Sequence, residues 1–445
     1  MDYSEFALDT VKAAMSAGAH EAEVYVYTGQ EFDVSLRMNE IETLTQAASK
    51  GLGLRVFVDK RMAFGSTTDF GKHRIDDLVK TTVQLAKAAG RDRFNGLPDA
   101  APGEITHLNL FDSAIAELSA ERKIEMAREA EQAAFNYDPK ITNSEGGSFG
   151  DSSSTRVIAN SNGVLYSYSA TNCSVSCVPM AEQGGEKQVG YYWSSKRFLD
   201  ELASPSEIGR EAAIRAIQRL GARKVDTQNV PVVFDWMVGG TLLGALFSAL
   251  DGDSAHRGLS FLKKMIGRKI ASDAVTVIDD PLMPRGLGSM PFDGEGVLAH
   301  RKTVVDRGVL EMYFYDSRTA RKYGETPTGN AKRGYASTPS VSPANFYLKP
   351  SEIDPSEIIL GIPNGFYVTE TMGHGANIVT GDFSVGAAGI WIRDGQLAYP
   401  VQEVTISGNM LDMLQNIEQV ANDARFISTI VTPTFKIADM TVSGR

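Results

Sequence analysis

Twice in its N-terminal half the chain runs a helical apolar stripe into stretches where apolar and polar residues alternate, an order that commits it to half-buried sheets covered by helices. The first stripe is Phe6, Val11, Ala14 and Met15, with Asp2 or Ser4 as cap and Gly18 as stop. Ala22, Val24 and Val26 then alternate with Glu21, Glu23 and Tyr25, and Phe32, Val34 and Leu36 with Asp33, Ser35 and Arg37. Gly51 to Val58 and Met62 to Thr67 flank Asp59-Lys60-Arg61 as a hairpin, and a second helix carries Ile75, Val79 and Val83. The pattern recurs from Ser119, with a helix lined by Ala127, Ala130 and Ala134 and strands from Ile141 to Trp193 that turn at Asn162-Gly163 and Gly184-Gly185. Ser204, Pro205 and Glu207 then open a further helix that stops at Gly221. The recurrence suggests a duplicated unit, although no fixed period is present.

A boundary near residue 226 divides an N-terminal α+β domain, residues 1–225, from a β-rich C-terminal domain, residues 226–445. The second domain opens with the strand Val230 to Phe234 and the apolar helix Gly239 to Leu250. Hairpins follow at Asp306-Arg307-Gly308 and Asp394-Gly395, and a last helix, capped by Asn409, carries Leu411, Leu414, Ile417 and Val420. Without βαβ alternation the class is α+β. Glu325 to Pro343, dense in Thr, Pro, Gly and Ser, reads as a long surface loop. The apolar run Trp236 to Leu250 is broken by Gly239, Gly240 and Gly244 and falls short of the ~20 residues of a membrane span, so no membrane association is expected. A net charge of −11 argues against a nucleic-acid partner. Two cysteines and the acidic start MDYSEF point to reducing cytoplasm.

Chemical motifs are sparse. The six histidines form no short ligand pair, and His374, within Met372-Gly373-His374-Gly375, is the best candidate for a binding role, against the plainer reading of a polar turn residue. Gly51-Leu52-Gly53 and Gly286-Leu287-Gly288 lack the further glycine of a dinucleotide loop. Ser260-Phe261-Leu262-Lys263 has S-x-x-K spacing without K-T-G. Even spacing on a strand puts Cys173 and Cys177 on one face as small core residues. Asp251-Gly252-Asp253, Asp279-Asp280 and Asp293-Gly294-Glu295 have no neighbouring base and do not read as general acid–base dyads. Arg321-Lys322 and Lys332-Arg333 flank the Thr/Pro-rich loop as solvated charge, or as attractors of an anionic ligand or peptide carboxylate.

Several ordered segments carry a resemblance: SMPFDGEG from Ser289, SRTARKYG from Ser317, TGNA from Thr328, TGDFS from Thr380, YPVQEVTISGN from Tyr399, and Asn422-Asp423. With GLGLRVFVDKRMAFGST in the first half, they make the chain similar to the TldD/PmbA family, once called modulators of DNA gyrase, and to its PmbA/TldE branch. In the TldD branch a His-Glu-x-x-x-His helix and a later cysteine hold zinc. The resemblance places Leu243, Gly244 and Ser248 at those helix positions, and no cysteine follows Cys177. Leucine and glycine supply no ligand or base, so it implies no catalytic or metal residue in this chain and zinc only in a TldD-type partner. It further implies a chain inactive alone, paired with a TldD-like subunit or with itself, and extended peptide clients bound along a sheet edge. Gly373, His374, Gly375, Thr380, Gly381 and Asp382 are the expected groove, roofed by Glu325 to Pro343. The alternatives are a self-sufficient peptidase with an unrecognised site and a regulatory, gyrase-modulator-like binding protein.

Overall fold

The computed structural model describes residues 2–99, 103–373 and 375–444. The N-terminal half contains α1 (Tyr3–Ser16), β1 (Glu21–Arg37), β2 (Glu40–Val58), β3 (Arg61–Thr67) and α2 (Lys72–Ala88). Then come α3 (Ser113–Glu117), α4 (Ala120–Phe135), β4 (Ile141–Asn160), β5 (Leu165–Gln183), β6 (Glu186–Val189), β7 (Tyr192–Lys196) and α5 (Pro205–Ile217). The sheet order is β3-β2-β1-β4-β5-β6, with β7 also on β5. The two helix-plus-strands units therefore meet at an antiparallel β1–β4 seam, from Glu23↔Asn160 to Leu36↔Gly147.

The two alternating stretches after α1 prove to be one strand. Its even-numbered residues share a face. Ala22, Val24 and Val26 pack with Ala7 and Val11 of α1 and Ile75 and Val79 of α2. Phe32, Val34 and Leu36 pack with Ala127 and Ala130 of α4 and Ile208 and Ala212 of α5. One face of the sheet thus carries α1, α2, α4 and α5. The turns follow their chemistry: Asp59 and Lys60 both have positive φ, 51° and 62°, as a two-residue primed hairpin turn requires. At the β1–β2 turn the backbone N–H groups of Met38 and Asn39 donate to Glu131, a buried carboxylate on α4.

The C-terminal half begins with β8 (Gln228–Phe234), α6 (Gly240–Ala249), α7 (Gly252–His256), β9 (Val277–Asp279), β10 (Lys302–Asp306), β11 (Val309–Leu310) and α8 (Ser317–Tyr323). Next are β12 (Ala331–Lys332), β13 (Ser340–Val341), β14 (Phe346–Leu348), α9 (Pro355–Leu360), β15 (Asn364–Met372) and β16 (Asp382–Arg393). The chain ends with β17 (Gln396–Asn409), α10 (Met410–Gln415), β18 (Ile417–Val420), β19 (Ile430–Val431) and β20 (Phe435–Ser443). One sheet runs β17-β16-β15-β8-β20-β18, a second β11-β10-β9-β14-β19, and β12 pairs with β13. Phe234, Phe247, Phe314, Phe346, Trp391 and Phe435 build the core they share with α6. The class is α+β. No described helix is long and apolar enough to cross a membrane.

Two expectations are corrected here. The last helix stops at Gln415, and Ile417–Val420 is a strand on β20, with Ile417 opposite Ile437 and Val420 opposite Phe435. A register shift between Ile417 and Gln419 lets residues three apart face one core, which imitates a helical period. Glu325 to Pro343 is not a free surface loop. Thr328, Asn330, Ala331 and Arg333 are buried, and the Tyr335 ring lies so close to Gly51 that a Cβ there would come within 2.1 Å.

Candidate functional site

The main cleft lies between the two halves and has a volume of about 580 Å³. Tyr191, Trp193 and Arg219 line one wall; Thr241, at the start of α6, and Glu370 and Thr371 of β15 line the other. β15 pairs with β16 as far as Met372 but with β8 only through Val368, where Asp235 N–H donates to the Val368 carbonyl at 3.0 Å. Glu370 and Thr371 therefore have β16 on one side and the cleft on the other, after a bulge at Thr369. Arg219 spans the cleft, donating to Glu370 and to the Val189 carbonyl. Thr241 Oγ1 and Thr371 Oγ1 are 3.2 Å apart.

The α6 positions carry no ligand set. Leu243 is buried with Leu242, Leu246 and Phe247. A Cβ on Gly244 would lie 3.6 Å from Ile430 Cδ1, in ordinary contact. Ser248 Oγ donates to the Gly244 carbonyl at 3.0 Å, a local bond within its own helix. Among the described residues no group of three or more His, Cys, Asp and Glu converges as a metal site. These side chains do not fit zinc, because an alkyl group, a missing side chain and an already bonded neutral hydroxyl offer no charged or imidazole donor.

Of the expected groove residues, His374 lies outside the described residues. Gly373 and Gly375 continue from the cleft edge, and a Cβ on Gly375 would be 3.6 Å from Thr241 Cγ2. Thr380, Gly381 and Asp382 instead close the loop on itself: Thr380 Oγ1 donates to Asp382 Oδ2 at 2.7 Å, and Asn409 Nδ2 to the Thr380 carbonyl at 3.2 Å. The expected roof is elsewhere, since Arg333 and Tyr335 pack on the helix-free face of the N-terminal sheet. Cys173 and Cys177 are buried on the helix side of β5, and burial pushes both thiols up to about 12. Gly146-Gly147-Ser148-Phe149-Gly150 has nucleophile-elbow spacing but runs inside β4, with no strand-to-helix turn to present the serine.

Sequence reasoning missed a buried ionic junction between the halves. Arg55 on β2 donates to Glu23 Oε2 and to Glu295 Oε1, each at 3.0 Å, and Arg333 donates to Glu23 Oε1. Glu295 Oε2 also accepts the Ser317 N–H at the start of α8. Burial opposes the charge on Arg55, but Glu23 and Glu295 outweigh it and hold the guanidinium above its ordinary range. Burial, then the charge of Glu295, pushes Asp293 up to about 8, although it accepts N–H bonds from Glu295, Val297 and Ala331. Of the paired basic residues, Arg321 and Lys322 are structural rather than solvated charge: Arg321 donates to the Phe94, Gly96 and Leu97 carbonyls, and Lys322 to Asp253. Asp279 holds Lys302 at 3.3 Å and Asn330 Nδ2 at 2.8 Å. A usable signal was the Asp-Gly-Glu set inside the apolar run Met290 to Leu298, where charges need buried partners.

Residues 227–444 match the C-terminal domain of PmbA/TldA metallopeptidases, residues 114–220 the central domain, and residues 22–86 domain 1. The metalloprotease PmbA of Escherichia coli O157:H7 is 33% identical over 443 residues, covering 99% of this chain and 96% of that protein. A metalloprotease of Methanothermobacter thermautotrophicus is 28% identical over 91% of this chain and 88% of its own length. A crystal structure of a putative modulator of DNA gyrase from Bacteroides thetaiotaomicron superposes with a TM-score of 0.92 at 28% identity, covering all of both chains. A second protein so described, from Thermotoga maritima, gives 0.90 at 25% identity, covering 99% of this chain and all of that one. The whole chain, through all three of its matched parts, belongs to the PmbA/TldD metallopeptidase family.

Proposed function

We propose that this chain is the non-metallated, peptide-binding member of a two-subunit peptidase system in which a TldD-type partner supplies zinc and the cleaving centre. The observation that carries the reading is the half-paired stretch Glu370–Thr371, an open strand edge inside the cleft and beside the start of α6. An extended peptide can add to such an edge through main-chain hydrogen bonds, with affinity that does not depend on a particular side chain. Tyr191 and Trp193, stacked at 5.2 Å, offer an aromatic wall for alternate side chains of the client. The chain's own residues bind and orient the peptide. With no base at Gly244, they take no part in activating water. The two free cysteines support a reducing, cytoplasmic setting. The chain acts as a dimer, with the TldD-type subunit or with a second copy.

The test is fluorescence anisotropy with an unstructured labelled peptide, in chelator. The chain alone should bind without cleaving. Thr241→Trp, which fills the cleft beside Thr371, should weaken binding about tenfold or more, a loss of about 1.4 kcal/mol. Equal binding by that variant would place the peptide elsewhere.

A further inference from the structure

A second, smaller cavity of about 140 Å³ lies where the helix-free face of the N-terminal sheet meets the Leu287–Gly294 segment and β12. It is lined by four cations, Arg156, Arg197, Lys332 and Arg333, in a chain whose net charge is −11. Among the described residues, Arg156, Arg197 and Lys332 have no carboxylate partner to balance them. Arg197 donates to the carbonyls of Thr171 at 3.0 Å, Gly286 at 3.1 Å and Leu287 at 2.5 Å, all neutral. Arg156 donates to Ser154 Oγ at 2.9 Å and sits 5.5 Å from the ring centres of both Tyr27 and Tyr168. Lys332, at the exposed mouth of the cavity, has no hydrogen-bond or ion-pair partner among the described residues. Arg333 is matched in charge, since it and Arg55 together face Glu23 and Glu295, but its Nε and Nη2 are buried without a partner.

Among the described residues the one carboxylate lining the cavity is Asp293, and both its oxygens are taken by backbone N–H groups, of Glu295 and Val297 on Oδ1 and of Ala331 on Oδ2. Placing uncompensated like charges in a half-enclosed space is costly unless an opposite charge joins them. Burial, opposed by Tyr168 and reinforced by the charge of Arg156, brings Arg197 to about 10, and burial followed by Arg156 and Arg197 lowers Lys332. Burial also opposes the charge on Arg156, but Tyr168, Tyr25 and Tyr27 hold it above its ordinary range.

We propose that this cavity binds a small, doubly charged oxyanion of the phosphate type. Guanidinium forks suit a phosphate or sulfate edge, and Tyr25 and Tyr168, which also line the space, carry hydroxyl donors. A dianion answers an excess of more than one positive charge, which a single carboxylate does not. The bound ion would link Lys332 on β12, Arg156 on β4 and Arg197 beyond β7, and so tie the two halves at a point remote from the cleft edge. This site is independent of the peptide reading, and its outcome does not bear on it.

The experiment is thermal unfolding and calorimetric titration of the full chain with sodium phosphate, against sodium chloride at matched ionic strength. A saturable rise in melting temperature with a stoichiometry near one is expected, following mass action on the folded state. Lys332→Met should weaken phosphate binding about tenfold or more. It should also leave the phosphate-free protein at least as stable, since an unpaired cation is removed. Lys12→Met, on exposed α1, should bind phosphate like the parent. Glycerol 3-phosphate separates a free ion from a monoester, and binding of either supports the oxyanion site. Identical melting in phosphate and chloride, an equal response to acetate, or an unchanged phosphate affinity in Lys332→Met would each overturn it.

Discussion

Helix α6 and the junction around Arg55 hold this molecule together by opposite means. On α6, Leu243 lies in an apolar core with Phe247, where fit depends on shape and is indifferent to pH. At the junction, Arg55, Glu23, Glu295 and Arg333 are buried and held by directed charge-assisted bonds. The contrast shows where the chain has retained polar chemistry. On α6 Leu243 serves packing, while the buried charge fastens the N-terminal sheet to the C-terminal half.

Arg55→Met should break this comparison most severely. It leaves Glu295 with only the Ser317 N–H and Glu23 with only Arg333, and removal of one member of a buried pair costs about 3–5 kcal/mol. Urea denaturation measures it. A loss below about 1 kcal/mol, the worth of an exposed pair, would mean the junction is solvated. The combined Leu243→His, Gly244→Glu and Ser248→His variant comes next. It should lose about 1–3 kcal/mol, chiefly by placing a polar ring at buried Leu243, and gain no stoichiometric zinc by elemental analysis, because among the described residues no third ligand converges there.

The pH dependence sharpens the same contrast. Asp293 is an acid raised in the folded state, to about 8. Its contribution is whole below the unfolded value near 4 and is lost as pH rises through about 8, because the folded state holds the proton longer. The urea midpoint of the parent should therefore fall relative to Asp293→Asn between about pH 5 and 8. Glu295, lowered by Arg55 against its own burial, acts in the opposite sense and in a more acidic window. Parallel profiles for parent and variant would show that Asp293 is ionised throughout. The smallest effect is a gain: Gly244→Ala, with open contact to Ile430, should stabilise α6 by about 0.5–1 kcal/mol in the same assay.

Local chemistry made much of the fold legible. The caps at Ser119, Ser204 and Asn409 and the turns at Asp59-Lys60 and Gly184-Gly185 lie where their side chains and positive φ angles demand. The strand Ile417–Val420 was not legible, because a bulge gave it a helix-like spacing. The junction was not legible either. Arg55 and Glu295 are 240 residues apart, and Arg333 and Glu23 310, so no short window contains both partners. The same holds for the cleft. Its open edge arises because β8 ends at Phe234 while β15 continues, a relation between strands that no single segment displays.

The central claim is that this chain grips peptides and leaves water activation to a partner. It is tested most directly by metal content and peptide cleavage of the purified chain, alone and after mixing with a TldD-type subunit, each with and without chelator. The account predicts zinc well below one per chain and no cleavage by the chain alone, with chelator-sensitive cleavage once the partner is added. One tightly held zinc per chain, with hydrolysis that the chelator abolishes in the partner's absence, would contradict it.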